Sequence, residues 1–367
     1  MQLSAEVFRP LASYRVVAIL LLAAGCSHGD ALSTAFNGDK GPLDPGPPVR
    51  LTYSAREDQY AGWSLDGQGI VYTFVDAASR SGDRCLALLP PGGGQATVTR
   101  CGGTDGADDS TDTFIDAAEV QADRYAWVEL HTLRGRILPD YGAIMLGALQ
   151  QGSLPVKLTT LPYVAPSGNV HLSASNLRRL SPAQLAYIGV DLVPRSPCQG
   201  CKPDTLVVWH EVMLLNTTGG PPVPLANSDQ TSSIWPDAAG TGIYYTVTGD
   251  SRVFHRTLAG GAGDMVHDFG AEGIARDVSV SGDRLVAVVG GRITYGFDPL
   301  IGAPLQFDSG GRLFTVNLSS GDEQELFLAN TRFRRPAIAP GGQSVVAEGV
   351  DTTTTNRQPD LWLFRLQ

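Results

Sequence analysis

The sequence predicts an all-β chain folded as a six-bladed β-propeller of four-stranded antiparallel blades. Three features predict it: many turn-forming residues, a strand-turn-strand repeat that returns along the chain, and two chain ends that fit together as parts of one blade. The 367 residues include 43 Gly and 24 Pro, and short runs of Val, Thr, Tyr and Phe lie between Gly, Pro, Asn and Asp. Such runs are typical of strands joined by turns.

The N-terminal segment is predicted to direct export. Arg9 and Arg15 precede an apolar run at 16–25. At about ten residues the run is too short for a bilayer core, which needs about 20. A basic region, a short apolar run and small residues before a cleavage site are typical of a secretory signal peptide.

The apolar run ends at Cys26, and residues 22–26 resemble a bacterial lipobox. The resemblance implies that the cysteine thiol is acylated, with palmitate among the attached chains, and that Cys26 becomes the first residue of the mature lipoprotein. In that family Ser27 implies sorting to the outer membrane. An ordinary signal peptide followed by a chance cysteine is the alternative.

Three regions follow from this interpretation: a signal peptide at 1–25, a tether at 26–48 and a propeller domain at 49–367. The tether is mostly Gly, Pro, Asp, Ser and Thr with few large apolar groups, so it is expected to be flexible. Lipid chains anchor firmly, and the folded part then needs no membrane-binding surface of its own. The formal net charge of −10 argues against nucleic acid, because binding phosphates needs a basic face.

The repeat that predicts the blades is clearest at 63–72. Trp63 ends one strand, Asp66 and Gly67 form a tight turn, and residues 70–74 form an apolar strand that must be covered on both faces. Three further copies are clear and two are degenerate; they lie at 234–245, 278–287, 336–346, 120–127 and 180–187.

A second pair of strands joined by a Gly-rich turn follows each copy. Six units of four strands give about 53 residues per unit, which is within the range of propeller blades. The last strand, 361–366, fits the third strand of a blade, and residues 49–53 resemble a fourth strand. We therefore expect the N- and C-terminal strands to pair and close the ring, which removes an exposed edge.

The segments 63–67 and 336–342 resemble the S-P-D-G blade repeats of the TolB-like six-bladed β-propellers. The resemblance covers residues 49–367 and implies the six-bladed fold. It leaves the function open, because such propellers serve as periplasmic binding proteins, as substrate-gating domains of peptidases and as polysaccharide lyases.

Four cysteines lie in the predicted propeller, and an even number in an exported chain suggests disulfides. Cys85 and Cys101 lie symmetrically about Gly93, which places them opposite each other in a hairpin and predicts a disulfide; two unpaired buried thiols are the alternative. Cys198 and Cys201 form a C-x-x-C in a Pro-rich loop. A small-loop disulfide is predicted there, and half of a zinc site and a redox motif are the alternatives.

One acidic stretch has the spacing of positions 1, 3, 5, 9 and 12 of an EF-hand loop, at Asp108, Ser110, Asp112, Asp116 and Glu119. The sixth position lacks the glycine that permits the sharp turn, and no flanking helices are predicted. These carboxylates are weak calcium candidates, and a solvated acidic loop between the first two blades is the favoured interpretation.

No catalytic set is complete. His210 and Glu211 begin a zinc-protease motif whose second histidine is missing, and Asp308 and Ser309 lack the glycine and proline that flank a protease nucleophile. The sequence therefore predicts a monomeric, non-enzymatic, lipid-anchored envelope protein without a cofactor, which binds an envelope protein, a peptide or a glycan. The alternative is an envelope polysaccharide lyase or hydrolase that uses residues on inter-blade loops. An apolar or mixed patch at the central funnel favours the binder, and functional residues are expected where the chain departs from the repeat.

Overall fold

A computed structural model describes residues 48–53, 57–75, 83–101, 110–133, 139–150, 152–195, 204–291, 293–298, 303–353 and 358–366. These residues form six four-stranded antiparallel sheets and two separate hairpins, so the predicted six-bladed β-propeller is confirmed. One short 3-10 helix, Gly270–Glu272, is the helical element among them. No helix in the described part is long and apolar enough to cross a membrane.

The chain starts with β1 (Val49–Arg50), which belongs to the last blade. Blades 1 to 3 follow in sequence, each in simple meander order: β2 (Asp58–Trp63), β3 (Ile70–Val75), β4 (Arg84–Leu89), β5 (Thr97–Cys101); β6 (Ser110–Gln121), β7 (Arg124–Leu133), β8 (Tyr141–Gly147), β9 (Val156–Leu161); and, after the hairpin β10 (Tyr163–Val164) and β11 (Val170–His171), β12 (Ser173–Ser181), β13 (Gln184–Arg195), β14 (Asp204–Asn216), β15 (Val223–Pro224).

Blades 4 to 6 complete the ring. Their strands are β16 (Thr231–Pro236), β17 (Gly242–Val247), β18 (Arg252–Thr257), β19 (Asp264–Asp268); β20 (Ala275–Ser281), β21 (Arg284–Val289), β24 (Arg312–Asn317), β25 (Glu323–Glu325), with the hairpin β22 (Ile293–Asp298) and β23 (Ala303–Asp308) inserted; and β26 (Thr331–Ile338), β27 (Ser344–Asp351), β28 (Pro359–Arg365) with β1. The first strands of neighbouring blades contact one another all the way round, so they form the inner ring.

The two chain ends close the ring as predicted. Val49 pairs with Leu363, and Arg50 pairs with Trp362, so β1 is the outer strand of blade 6. The junction between blades 6 and 1 is also bridged near the axis, because the Trp63 indole N–H donates to the Ala337 carbonyl at 2.8 Å. Pairing inside one sheet and a hydrogen bond between sheets therefore hold the first and last blades together.

The core lies between blades, which explains the strands that are apolar on both faces. Ile70 and Val71 are adjacent in β3 and fully buried. Ile70 packs with Leu361 and Leu363 of blade 6, whereas Val71 packs with Trp127 of blade 2. Because successive strand residues point to opposite faces, each middle strand covers two neighbours at once.

The Cys85–Cys101 disulfide is confirmed. The two residues are directly opposite each other in the β4–β5 hairpin, and their sulfurs are bonded. Cys198 and Cys201 lie outside the described residues, as do Cys26 and the predicted signal peptide and tether; those predictions remain predictions.

Candidate binding cavity on the propeller axis

A cavity lies where the first strand of each blade turns into the second. Its volume is about 360 Å³, and all six blades contribute to its lining. Because the first strands form the inner ring, a cavity lined by all of them lies on the propeller axis. One lining residue from each blade, in order, is Trp63, Glu119, Arg178, Trp235, Ser281 and Pro340.

The walls are largely aromatic and aliphatic. Trp63, Trp235 and Tyr244 present rings to the cavity, and Ile338 and Leu65 add aliphatic surface. Leu65 is 42% exposed, which places it at the rim. A concave apolar surface with a few polar groups is the usual form of a ligand site.

The two carboxylates that line the cavity are already bound by the protein. Glu119 accepts the backbone N–H of Leu65 at 2.5 Å and that of Asp123 at 2.9 Å. Asp237 accepts the backbone N–H of Thr241 at 3.0 Å and lies 3.3 Å from the His255 ring. Both groups therefore stabilise turns of the blades.

The cationic lining comes from two consecutive arginines of β12. Arg179 donates through Nε to the Val120 carbonyl at 2.8 Å. Arg178 stacks on Trp235, with its guanidinium carbon 5.0 Å from the ring centroid. The Arg178 side chain is 21% exposed, and its Nε has no hydrogen-bond partner among the described residues.

Each first strand has a register shift before the residues that line the cavity, within the strand in blades 1, 2, 3 and 6 and at its start in blades 4 and 5. Four blades place a non-glycine residue there with a positive φ: Tyr60 at 55°, Asp116 at 50°, Asn176 at 53° and Arg335 at 43°. A bulge adds one residue to a strand and re-aims the side chains that follow. The bulges therefore decide which side chains face the axis.

Side chains at the bulges bond the backbone or side chains of the next blade, and we call these groups the axial belt. Its members are Tyr60, Asp116, Asn176, Ser233, Asp277, Val278, Arg335 and Glu348. The bonds link blades 2 to 3 (2.7 Å), 3 to 4 (3.2 Å), 4 to 5 (3.1 Å), 5 to 6 (3.2 Å) and 6 to 1 (2.7 Å). Five of the six junctions are thus fixed directly below the cavity.

The most buried charge of the belt is Glu348, whose side chain is 0% exposed. Its two oxygens lie 3.0 and 2.8 Å from Arg335 Nη1, and one lies 3.3 Å from Arg334 Nε. The Arg335 guanidinium also lies over the Tyr60 ring, 4.2 Å from its centroid. Burial acts to lower the pKa of Arg335, but Glu348 and then Tyr60 outweigh it and hold the pKa well above its ordinary value.

The weak calcium candidates are separated by the structure. Asp108 lies outside the described residues, and the other three carboxylates lie on β6 rather than in a loop. Asp112 lies 2.8 Å from His131 Nδ1, Asp116 belongs to the belt, and Glu119 lines the cavity. Among the described residues, no group of three or more His, Cys, Asp or Glu could hold a metal ion.

The expected solvated loop is wrong for Asp116 and Glu119, which are 5% and 7% exposed. Both hydrogen-bond backbone N–H groups, and this compensates for their burial. The sequence showed the acidic residues but not the bulge at Asp116 that turns them inward.

The other incomplete motifs also have structural partners. Asp308 forms two hydrogen bonds with Arg276, at 2.8 and 2.7 Å, and is held in an ion pair between strands. His210 Nε2 lies 3.9 Å from Asp191, and Glu211 accepts the Ser167 hydroxyl at 2.5 Å. The described residues therefore form a six-bladed β-propeller with a cavity on its axis, and this is the fold that the resemblance to the TolB-like propellers implied.

No protein-family model matches the sequence, and no curated protein matches it. Solved structures with a similar fold include a gluconolactonase from Xanthomonas campestris, with 16% identity, coverage of 89% of this chain and 98% of that chain, and a TM-score of 0.52. U3-55K has 11% identity, coverage of 88% and 100%, and a TM-score of 0.50. TolB from Acinetobacter baumannii has 13% identity, coverage of 92% and 68%, and a TM-score of 0.45. At these identities the likeness is one of fold.

Proposed function

We propose that the protein is a monomeric, non-enzymatic binding module of the cell envelope that receives part of a protein, a peptide or a glycan in its axial cavity. The observation that carries the proposal is the lining itself. Aromatic and aliphatic walls surround two incompletely paired arginines, Arg178 and Arg179, whereas Glu119 and Asp237 already bind the protein. A mixed patch of this kind favours binding over acid-base chemistry, which needs a carboxylate or histidine free to exchange protons.

The proposal includes a lipid anchor at Cys26 and a flexible tether at 26–48. A Gly- and Pro-containing coil of this length has an end-to-end distance of about 25 Å. The tether then lets the propeller turn relative to the membrane, and a partner can reach the cavity from the membrane or from the periplasm.

Photo-crosslinking in cells of the native host tests the cavity. A crosslinking residue at Leu65, on the rim, is expected to capture a partner that the same residue at Phe327 does not capture. Phe327 is the matched control because it is 71% exposed and does not line the axial cavity. Trp235→Ala should abolish the Leu65 crosslink. Equal capture at both positions, or capture that survives Trp235→Ala, contradicts binding at the axis.

A second assay tests the alternative from the sequence, a polysaccharide lyase or hydrolase. The purified protein is incubated with envelope polysaccharide, and new reducing ends or unsaturated sugars are measured. Turnover that is lost in a cavity variant overturns the non-enzymatic proposal.

Metabolic lipid labelling tests the anchor. Cys26→Ala should lose the lipid label and appear in the soluble fraction, whereas Ser27→Ala, one residue away, should keep both label and membrane association. A labelled, membrane-bound Cys26→Ala variant contradicts lipidation at this cysteine.

A further inference from the structure

Of the two arginines that line the axial cavity, Arg179 makes one hydrogen bond, to the Val120 carbonyl, and Arg178 is the one that also lies over an aromatic ring. Its Nη1 donates to the adjacent Leu177 carbonyl at 2.9 Å. The nearest carboxylate oxygen, of Asp116, is 3.9 Å from Nη1, which is beyond hydrogen-bond distance. Nε has no partner among the described residues. A guanidinium offers five N–H donors. The Nε atom is buried and cannot meet a ligand, so the donors left for one are on the Nη atoms of this 21% exposed side chain.

Asp116 does not neutralise Arg178 fully, because it has another role. One of its oxygens accepts the backbone N–H of Asn176 at 2.7 Å, in the axial belt. Burial raises the pKa of Asp116 despite Arg178 and Arg335. Burial also lowers the pKa of Arg178, with Asp116 and Asp277 opposing that change and Arg335 adding to it. An additional anion beside Arg178 would offset this loss of hydration.

The surroundings of Arg178 suit a carboxylate attached to an apolar body. Stacking on Trp235 holds the guanidinium plane in place. A planar guanidinium of restricted orientation can donate two parallel hydrogen bonds to a carboxylate, which the ammonium group of a lysine cannot do. The rings of Trp63 and Tyr244 then provide apolar surface for the group that carries the carboxylate.

The lining favours a peptide over a glycan. Sugar hydroxyls need many free polar partners, but the Trp63 indole N–H already donates to Ala337 and both lining carboxylates accept backbone N–H groups. A peptide with one acidic group among apolar side chains requires only one strong polar contact. The volume of about 360 Å³ accommodates a short segment rather than a folded domain.

We propose that the axial cavity binds a peptide segment through a carboxylate that Arg178 receives, with the neighbouring apolar side chain against Trp63 and Trp235. The inference rests on the proposed function and specifies its ligand class. The carboxylate comes from an Asp or Glu side chain or from a free C-terminus, and the experiment separates these sources.

The test starts from a displayed library of random heptapeptides selected on the full-length protein. We expect enrichment of peptides with Asp or Glu next to an aromatic or aliphatic residue. These peptides should not bind the Trp235→Ala variant. The best sequence is then synthesised with its acid unchanged, with that acid replaced by the amide, and with its C-terminus free or amidated. The acid should bind at least about tenfold more tightly than its amide, as a charge-assisted hydrogen bond does.

Variants of Arg178 and Asp116 identify the receiving group. Arg178→Gln should remove the preference for the acid, and Arg178→Lys should restore only part of it. Arg252→Gln is the matched control, because Arg252 is a surface arginine paired with Asp250. Asp116→Asn keeps an oxygen for Asn176 but removes the competing charge, so it should increase affinity for the acidic peptide. Because the expected result for Asp116→Asn is a gain of affinity, misfolding of the variant could not account for it.

The outcomes separate the inference from the proposed function. Equal affinity for acid and amide, or an acid preference that survives Arg178→Gln, overturns the role of Arg178 but leaves peptide binding intact. Binding of tri-galacturonate without peptide enrichment overturns the peptide class in favour of an acidic glycan. Failure of peptides and saccharides alike to occupy the cavity overturns both.

Discussion

The axial belt predicts that neutralising Glu348 destabilises the whole propeller. Glu348→Gln keeps the volume of the side chain and an oxygen that can accept the Tyr60 N–H, which Glu348 receives at 2.7 Å. It removes the charge that two arginines share. The substitution therefore isolates the electrostatic contribution of one buried group from its packing.

The expected size of the effect follows from the burial. The Glu348 side chain is 0% exposed, and Arg335 Nη1 lies 2.8 Å from one of its oxygens. Removing one partner of a buried ion pair leaves an uncompensated charge and costs about 3–5 kcal/mol. At about 2 °C per kcal/mol for a domain of this size, Tm falls by about 6–10 °C.

Chemical denaturation followed by tryptophan fluorescence measures the change. Glu325→Gln is the matched control, since Glu325 lies 3.4 Å from Arg312 at the surface and each side chain is about a third exposed; it should cost less than about 1 kcal/mol. Arg335→Met added to Glu348→Gln should recover part of the loss, because it removes the unpaired charge. A cost below about 1 kcal/mol for Glu348→Gln, or no recovery in the double variant, refutes the reasoning.

Three further predictions concern single features. Burial raises the pKa of Asp360 to about 6, so the folded chain binds the Asp360 proton more tightly than the unfolded chain does. The stability that this protonation contributes is fully present below about pH 4 and is lost as the pH rises through about 6. Asp360→Asn should flatten that part of a plot of unfolding free energy against pH. The Cys85–Cys101 bridge spans a sequence separation of 16, so replacing both with serine should cost about 3 kcal/mol, and free thiols in denatured, unreduced protein would contradict the bridge. Gly189→Ala would place a Cβ 2.4 Å from the buried His171 ring, so it should lower the unfolding free energy by about 1–3 kcal/mol, and an unchanged denaturation midpoint would show that the ring can move.

The fold could be predicted because its signals are local and repeated. The turn at Asp66–Gly67 and the apolar strand after it recur in each blade, and one copy supports the interpretation of the next. The segments at 49–53 and 361–366 gave an independent check, since each lacks a strand that the other supplies. The paired cysteines followed from the symmetry of one hairpin, which needs no knowledge of the tertiary structure.

The cavity could not be predicted, because the bulges that shape it have no turn signal. Tyr60, Asp116 and Arg335 adopt positive φ values although none is a glycine. Past a bulge the in-out alternation of a strand is shifted, so the sequence pattern does not show that Arg178 faces the axis. The expectation that functional residues depart from the repeat stays a prediction, and the cavity proposed as the site is lined by the repeat turns themselves.

One signal for the site was present in the sequence. Trp63 and Trp235 lie near the end of the first strand in two copies of the repeat, although a tight turn does not require tryptophan there. The two are one register position apart, since Trp63 pairs with Ile70 and Pro236, not Trp235, pairs with Ile243. A strand end does not need a large aromatic side chain, so tryptophan at this place indicates a surface that packs against another group. In a propeller that position faces the axis, so the repeat carries both the fold and the site.

Glu348 stabilises the blades at the axis without lining the cavity, whereas Arg178 lines it. The belt fixes five blade junctions immediately below the lining, so the cavity is already formed before a ligand enters, and little ordering is needed on binding. In the proposed binding mode, affinity depends on Arg178 and the two indoles, while the belt charges around Glu348 hold the blades. A substitution at Glu348 should therefore lower Tm with little change in ligand preference. A substitution at Arg178 should change ligand preference and also lower Tm, because it removes the cation nearest to the buried Asp116 carboxylate.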